Sequence, residues 1–154
     1  MSELNITLKD ALAIAITEEI KAYTLYSNLS AKVKNAATRT MLQELAAQEL
    51  GHRKLLENVV AGQKYEILGK NISDTQKGIV DFLVVSDLKD NASPQEVMIF
   101  AIKAEEKAYN FYTDFKNYFG TTELGQLFAK LAVEEQGHKS LLETEYEEHF
   151  MRDN

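Results

Sequence analysis

Apolar residues recur at spacings of three and four through long windows of this chain, and only one proline and seven glycines interrupt them. That is the period of amphipathic α-helices, and it predicts a protein that is nearly all α. A first helix is expected from Thr7, where Thr7-x-x-Asp10 has the form of a capping box. Its stripe runs through Leu8, Leu12, Ala15, Ile16, Ala22, Tyr23, Tyr26, Leu29 and Val33, and it ends near Ser30 to Lys34. A second follows a short polar break, carries Met41, Leu42, Leu45, Leu55, Leu56 and Val59 on its inner face, and stops before Gly62. Two helices joined so closely must run antiparallel. The third has the clearest start, with Ser93 as N-cap, Pro94 at the first helical position and Glu96 completing a capping box; it ends near Gly120. The fourth starts around Thr121 or Thr122 and runs through Leu124, Leu127, Phe128, Leu131, Leu141 and Leu142. Residues 61–92 are left as a long crossover. Within it Ser73-x-x-Gln76 is placed to cap a short helix reaching about Leu88, against the β-branched run Ile79, Val80, Val84 and Val85.

The third helix lies on the first, and the fourth on the second, at one common offset of 86 residues. At that offset Leu12 matches Met98, Ala15 matches Ala101, Ile16 matches Ile102, Ala22 matches Ala108, Tyr23 matches Tyr109 and Tyr26 matches Tyr112. In the second pair Leu45 matches Leu131, Gly51 matches Gly137, and Leu55-Leu56 matches Leu141-Leu142. Amphipathicity alone would align apolar stripes, but it would not force matching Tyr, Gly, Glu and His. The chain therefore reads as two copies of one helical hairpin, hairpin one at about 7–60 and hairpin two at about 93–151.

Composition narrows the class. With 154 residues, 45% hydrophobic and 27% charged, the chain is long enough for one domain over 1–154 and short for two. A net charge of −7 argues against a nucleic-acid partner, since phosphate binders concentrate Lys and Arg. The absence of cysteine excludes disulfides, thiolate catalysis, Cys-ligated zinc and iron–sulfur sites, so any metal must be held by oxygen and nitrogen. No secretory signal is visible in Met1-Ser2-Glu3-Leu4-Asn5, which makes the cytoplasm the expected compartment. The apolar stretch from Ile79 to Val85 is far short of the ~20 residues a membrane span requires.

The chemistry is carried by Glu49-x-x-His52 and Glu135-x-x-His138, each a carboxylate and an imidazole at i and i+3 on one helix face. Leucines flank both pairs, so that face points inward, where an unpartnered carboxylate is costly and a cation is the direct remedy. Glu19 and Glu105 interrupt the stripes of the first and third helices in the same way. The repeat selects them: Glu18 aligns with Ala104 and Ile20 with Glu106, so only Glu19 and Glu105 keep a carboxylate in both copies. The expected metal ligands are thus Glu19, Glu49, His52, Glu105, Glu135 and His138. Four carboxylates neutralise two divalent ions, and this set matches carboxylate-bridged di-iron and di-manganese bundles. Ligands without sulfur favour iron or manganese over copper(I), with zinc an opportunistic occupant, and two iron ions are the expected cofactor.

Through AITEEIKAYTLY, LAAQELGHRKLL, AIKAEEKAYNFY and LAVEEQGHKSLL the sequence resembles the rubrerythrin branch of the ferritin-like superfamily, over almost all of the chain except the crossover. The resemblance implies a ferritin-like, left-handed four-helix bundle holding a di-iron site. It also implies Glu49 and Glu135 as bridging ligands, Glu19 and Glu105 as terminal carboxylates, and His52 and His138 as terminal nitrogen donors. The sequence departs from the family pattern in two places. It has no Cys-ligated rubredoxin domain, and it has Ala108 where full-length rubrerythrins carry a further glutamate one turn after the ligand of the third helix.

The remaining residues have plainer roles. Tyr23, Tyr26, Tyr109 and Tyr112 fit core packing, while Tyr26 and Tyr112 are chosen as hydroxyls that hydrogen-bond ligand carboxylates. Gly51 and Gly137 are assigned to close helix packing, His149 to the surface, and the charges of Glu143 to Glu148 to a solvated face. The expected function is reduction of hydrogen peroxide or dioxygen at the two-metal site with electrons from an external donor protein. The alternatives are Fe(II) oxidation in iron handling and a metal-binding bundle without turnover. The apolar residues Ile79, Val80, Phe82, Leu83, Val84 and Val85 exceed what one short helix can bury, which predicts a homodimer.

Overall fold

A computed structural model of the protein describes residues 6–72 and 88–150. Four long helices dominate it: α1 (Leu8–Lys32), α2 (Ala36–Gly62), α4 (Pro94–Phe119) and α5 (Glu123–Glu145), with a short α3 (Tyr65–Leu68) after α2. A π-helical turn, Tyr146–Phe150, continues α5. Among the described residues there is no strand, only an isolated antiparallel bridge between Thr7 and Asn71.

Local chemistry places the helix ends. Thr7 and Asp10 form a reciprocal capping box on α1, and Ser93 and Glu96 do the same on α4, with Pro94 in the first turn. Asn35 caps α2 by accepting from the Thr38 amide at 3.0 Å, and Thr122 caps α5 by accepting from the Gly125 amide at 3.1 Å. The α4–α5 turn needs two glycines. Gly120 adopts φ 57°, and a Cβ on the buried Gly125 would collide with the Gly120 carbonyl.

Short connections force α1 against α2 and α4 against α5 as antiparallel hairpins, and the two hairpins meet chiefly along α1 and α4. The result is the pair of helical hairpins expected from the repeat, packed as the ferritin-like bundle that the resemblance implies. Short helix α3 belongs to the crossover, at a position where no helix was expected. The short helix expected from Ser73, and the apolar run invoked for a dimer, lie outside the described residues. The start of the crossover is pinned by the Ile72 amide donating to Ile6 at 2.9 Å and the Leu8 amide donating to Lys70 at 3.0 Å.

The apolar core is split in two. One cluster joins Leu8, Leu12, Leu56, Phe111, Phe115 and Phe128; the other joins Tyr26, Leu29, Leu42, Leu45, Met98 and Leu142. Each long helix contributes to both, so each crosses a gap between them at mid-length. Burying each large side chain of these clusters stabilises the bundle by roughly 1.5–3 kcal/mol, which holds the gap's walls in place.

Three assignments made from the pattern are corrected here. Leu141 and Tyr23 face outward, at 44% and 39% exposure. Among the described residues a Cβ on Gly51 or Gly137 would meet nothing within 4 Å, so close packing against a described helix explains neither glycine. Exposed mid-helix glycine costs about 1 kcal/mol relative to alanine. Gly51→Ala and Gly137→Ala are therefore each expected to raise stability by about 1 kcal/mol in denaturant unfolding. A loss of stability in either variant would contradict the open surroundings seen here.

Candidate metal centre

The gap between the two apolar clusters is filled by Glu19 from α1, Glu49 and His52 from α2, Glu105 from α4, and Glu135 and His138 from α5, all buried. The i, i+3 spacing delivers each Glu–His pair to one helix face, and the two imidazoles lie nearly parallel, 5.8 Å between centroids and 13° between planes. Both turn Nδ1 towards the carboxylates. His52 Nδ1 is 3.0 Å from Glu135, 3.5 Å from Glu49 and 3.6 Å from Glu19. His138 Nδ1 is 2.9 Å from Glu49, 3.5 Å from Glu135 and 3.8 Å from Glu105.

These groups fit a pair of metal ions on an observation independent of their identity. Among the described residues, buried side-chain polar atoms without a hydrogen-bond partner include one from each of the six: Glu19 Oε2, Glu49 Oε1, His52 Nδ1, Glu105 Oε2, Glu135 Oε1 and His138 Nδ1. An orphaned polar atom in a core costs about 1–3 kcal/mol, and six converging on one spot are the arrangement a cation relieves. They fall into two groups whose donor atoms lie within 4.8 Å of one another: Glu19, Glu49, His52 and Glu135, and Glu49, Glu105, Glu135 and His138. Glu49 and Glu135 belong to both groups, so they are the two carboxylates placed to be shared.

The metal-free cluster gathers protons instead. Burial raises the Glu49 carboxyl well above the usual carboxylate range, and Glu135, Glu105 and Glu19 add to the effect. Burial, then Glu105 and Glu19, raises Glu135 likewise. Burial pulls the His52 imidazole down, but Glu19 and Glu49 outweigh it and raise it to about 9. The same contest at His138, with Glu105, Glu135 and Glu49 opposing burial, ends with it pushed up to about 12.

Around the six lies a second set of contacts, every one of which crosses from one hairpin to the other. The Tyr26 hydroxyl donates to Glu105 Oε1, and the Tyr112 hydroxyl donates to Glu19 Oε1 at 2.6 Å. Burial first, and then Glu105 and Glu19 respectively, raises both hydroxyls well above their ordinary value, so both remain protonated donors. The outer ring nitrogens are partnered too: His52 Nε2 lies 3.1 Å from Glu134 Oε1, and His138 Nε2 lies 2.5 Å from Gln48 Oε1. Gln48 and Glu134 were missed from the sequence. The offset of 86 could have found them, since it pairs them, each one residue before a shared glutamate.

A cavity of about 450 Å³ lies against the cluster on the α1–α4 side, with Glu19, Glu105, Tyr26, Ala22 and Ala108 in its lining. Ala108, where a further carboxylate was noted as absent, thus adds space and no ligand. Other residues stay apart. Tyr109 is partly buried against the first apolar cluster. His149 is exposed near Glu145 and Glu148. Among the described residues no helix is long and apolar enough to cross a membrane.

Comparison with known proteins agrees with the geometry: the family model described as rubrerythrin matches residues 10–146. Neither the curated proteins nor the solved structures gave a match.

Proposed function

This chain belongs to the rubrerythrin family, and from that premise we propose that it is a di-iron redox protein that reduces hydrogen peroxide or dioxygen with electrons from an external donor protein. The convergence of six unpartnered donor atoms, four of them from carboxylates, carries the proposal. An oxygen- and nitrogen-only donor set suits iron, with manganese or zinc able to occupy the same positions. When bound, two ferrous ions would supply the two electrons that convert hydrogen peroxide and two protons to two waters, and the donor protein would restore them.

The chain's own residues have separable tasks. Glu49 and Glu135 would hold both ions, Glu19 and His52 one of them, Glu105 and His138 the other. Tyr26 and Tyr112, by donating to Glu105 and Glu19, fix one oxygen of each terminal carboxylate and leave the other directed at the centre. The two apolar clusters exclude bulk water from above and below, which strengthens every charge interaction inside. Ala22 and Ala108 keep side-chain atoms out of the cavity beside the carboxylates, where a small oxidant could enter.

Stopped-flow absorbance on anaerobically iron-loaded protein tests the reading. Oxidation of the bound iron is expected to be much faster with hydrogen peroxide than with dioxygen. Faster reaction with dioxygen would favour Fe(II) oxidation in iron handling, and no oxidation by either would leave a metal-binding bundle without turnover.

A further inference from the structure

The two outer contacts to the imidazoles are related by the internal repeat yet differ in charge. A neutral imidazole that offers a lone pair at Nδ1 must carry its proton at Nε2. Among the described residues each Nε2 faces one oxygen: Glu134 Oε1 for His52, Gln48 Oε1 for His138. Gln48 lies on α2 and its histidine on α5, while Glu134 lies on α5 and its histidine on α2. Each hairpin therefore sets the ring orientation of the other's nitrogen donor. The partners occupy equivalent places at the offset of 86, but one is a neutral amide and the other a carboxylate. The second oxygen of Glu134, Oε2, is buried without a hydrogen-bond partner, so within the described residues its hydrogen bonding is directed at His52. A hydrogen bond from a ligand imidazole to a carboxylate is stronger than one to an amide and makes the metal-facing nitrogen the better donor.

We propose that Gln48 and Glu134 are an unequal pair of positioning residues that clasp the two imidazoles from the opposite hairpins and make the two metal positions chemically distinct. The His52 position, backed by Glu134, binds its ion more tightly and fills first; the His138 position, backed by Gln48, is the weaker. The inference rests on the two-metal reading above, and it adds that a centre assembled from a duplicated hairpin is not symmetric in strength.

The test uses the full chain and zinc(II) alone, which is diamagnetic and redox-inert. Competition titration against a chromophoric chelator gives the stepwise affinities, and NMR of the loaded protein gives each histidine's Nε2–H resonance. Glu134→Gln is expected to weaken the tighter step about tenfold, merging it with the weaker one. Gln48→Glu is expected to strengthen the weaker step about tenfold, closing the gap from the other side. Each variant should move only the Nε2–H resonance of the histidine it contacts, a selectivity that a general loss of packing would not produce. Both variants are isosteric, and either alone tests the clasp if the other folds poorly. Unchanged steps and resonances in both would overturn it. Two equivalent zinc ions in the wild-type chain would overturn the inequality and leave the metal reading standing. No zinc binding at all would remove both.

Discussion

Glutamine in place of Glu49 is expected to cut bound metal from two ions per chain to one or none, while making the metal-free protein more stable. The two effects share one cause. Glu49 belongs to both four-residue donor groups, so its loss strips a ligand from each ion at once, and an affinity loss of more than about 100-fold is expected where a contact one shell further out costs about 10–100-fold. In the absence of metal the same carboxyl sits buried among Glu135, Glu105 and Glu19, which is why it holds its proton far above the usual range. Glutamine keeps the shape and stays neutral in both the folded and the unfolded chain. Without the proton uptake that folding demands of the wild-type group, the variant gains up to about 1.4 kcal/mol for each pH unit above the ordinary carboxyl value, or about 2–4 °C in midpoint for each kcal/mol in a chain of this length. The gain should depend on pH. Below the ordinary carboxyl pKa near 4.5 the wild-type group is already neutral and Glu49→Gln should gain nothing, whereas above it the gain should grow. Metal analysis after loading and dialysis, with calorimetry under chelator, reads both halves. Two ions per chain retained in Glu49→Gln would remove Glu49 from the ligand set.

Metal-free protein should lose stability steadily as pH rises through the neutral range, the reverse of an ordinary acidic protein. Glu49 and Glu135 are raised above 4.5, and His52 and His138 are raised above 6.5, so the folded state binds more protons than the unfolded chain at every one of these groups. Where the folded state holds the extra protons, stability falls with increasing pH. The decline begins above about pH 4.5 for the carboxyls; His52 contributes between 6.5 and about 9, and His138 from 6.5 towards about 12. Metal binding needs neutral imidazoles and ionised carboxylates, so the ions must displace those protons, and affinity rises as pH rises. The gap in unfolding temperature between loaded and chelator-treated protein should therefore widen from pH 5 to 9. A metal-free midpoint that climbs between pH 5 and 8 would contradict the proton-loaded cluster.

Much of this architecture was legible in one dimension. Thr7 with Asp10 and Ser93 with Glu96 announce helix starts because a cap is a contact between residues three apart. The burial of Glu19 and Glu105, but not of Glu18 or Glu106, followed from the offset of 86, because a duplicated hairpin must place equivalent residues on equivalent faces. Leu141 and Tyr23 show where periodicity misleads: a leucine beside an inward leucine, or a tyrosine at the edge of a stripe, lies on the rim of the apolar face, where the exact rotation of the helix decides its burial.

By itself the sequence determined the four long helices, their capping at Thr7 and Ser93, the doubled hairpin and the inward face on which Glu49, His52, Glu135 and His138 stand, since caps and faces depend on spacings along a single helix and the doubling shows as one offset between the two halves. Only the tertiary structure decided that Tyr26 meets Glu105 while Tyr112 meets Glu19, that Glu134 backs His52 while Gln48 backs His138, and that Glu49 and Glu135 belong to both donor groups. Each of these joins helices from different hairpins. Such pairings are set by how far one helix is rotated and slid against another, which depends on the packing of both apolar clusters at once and is written in no local stretch of the chain.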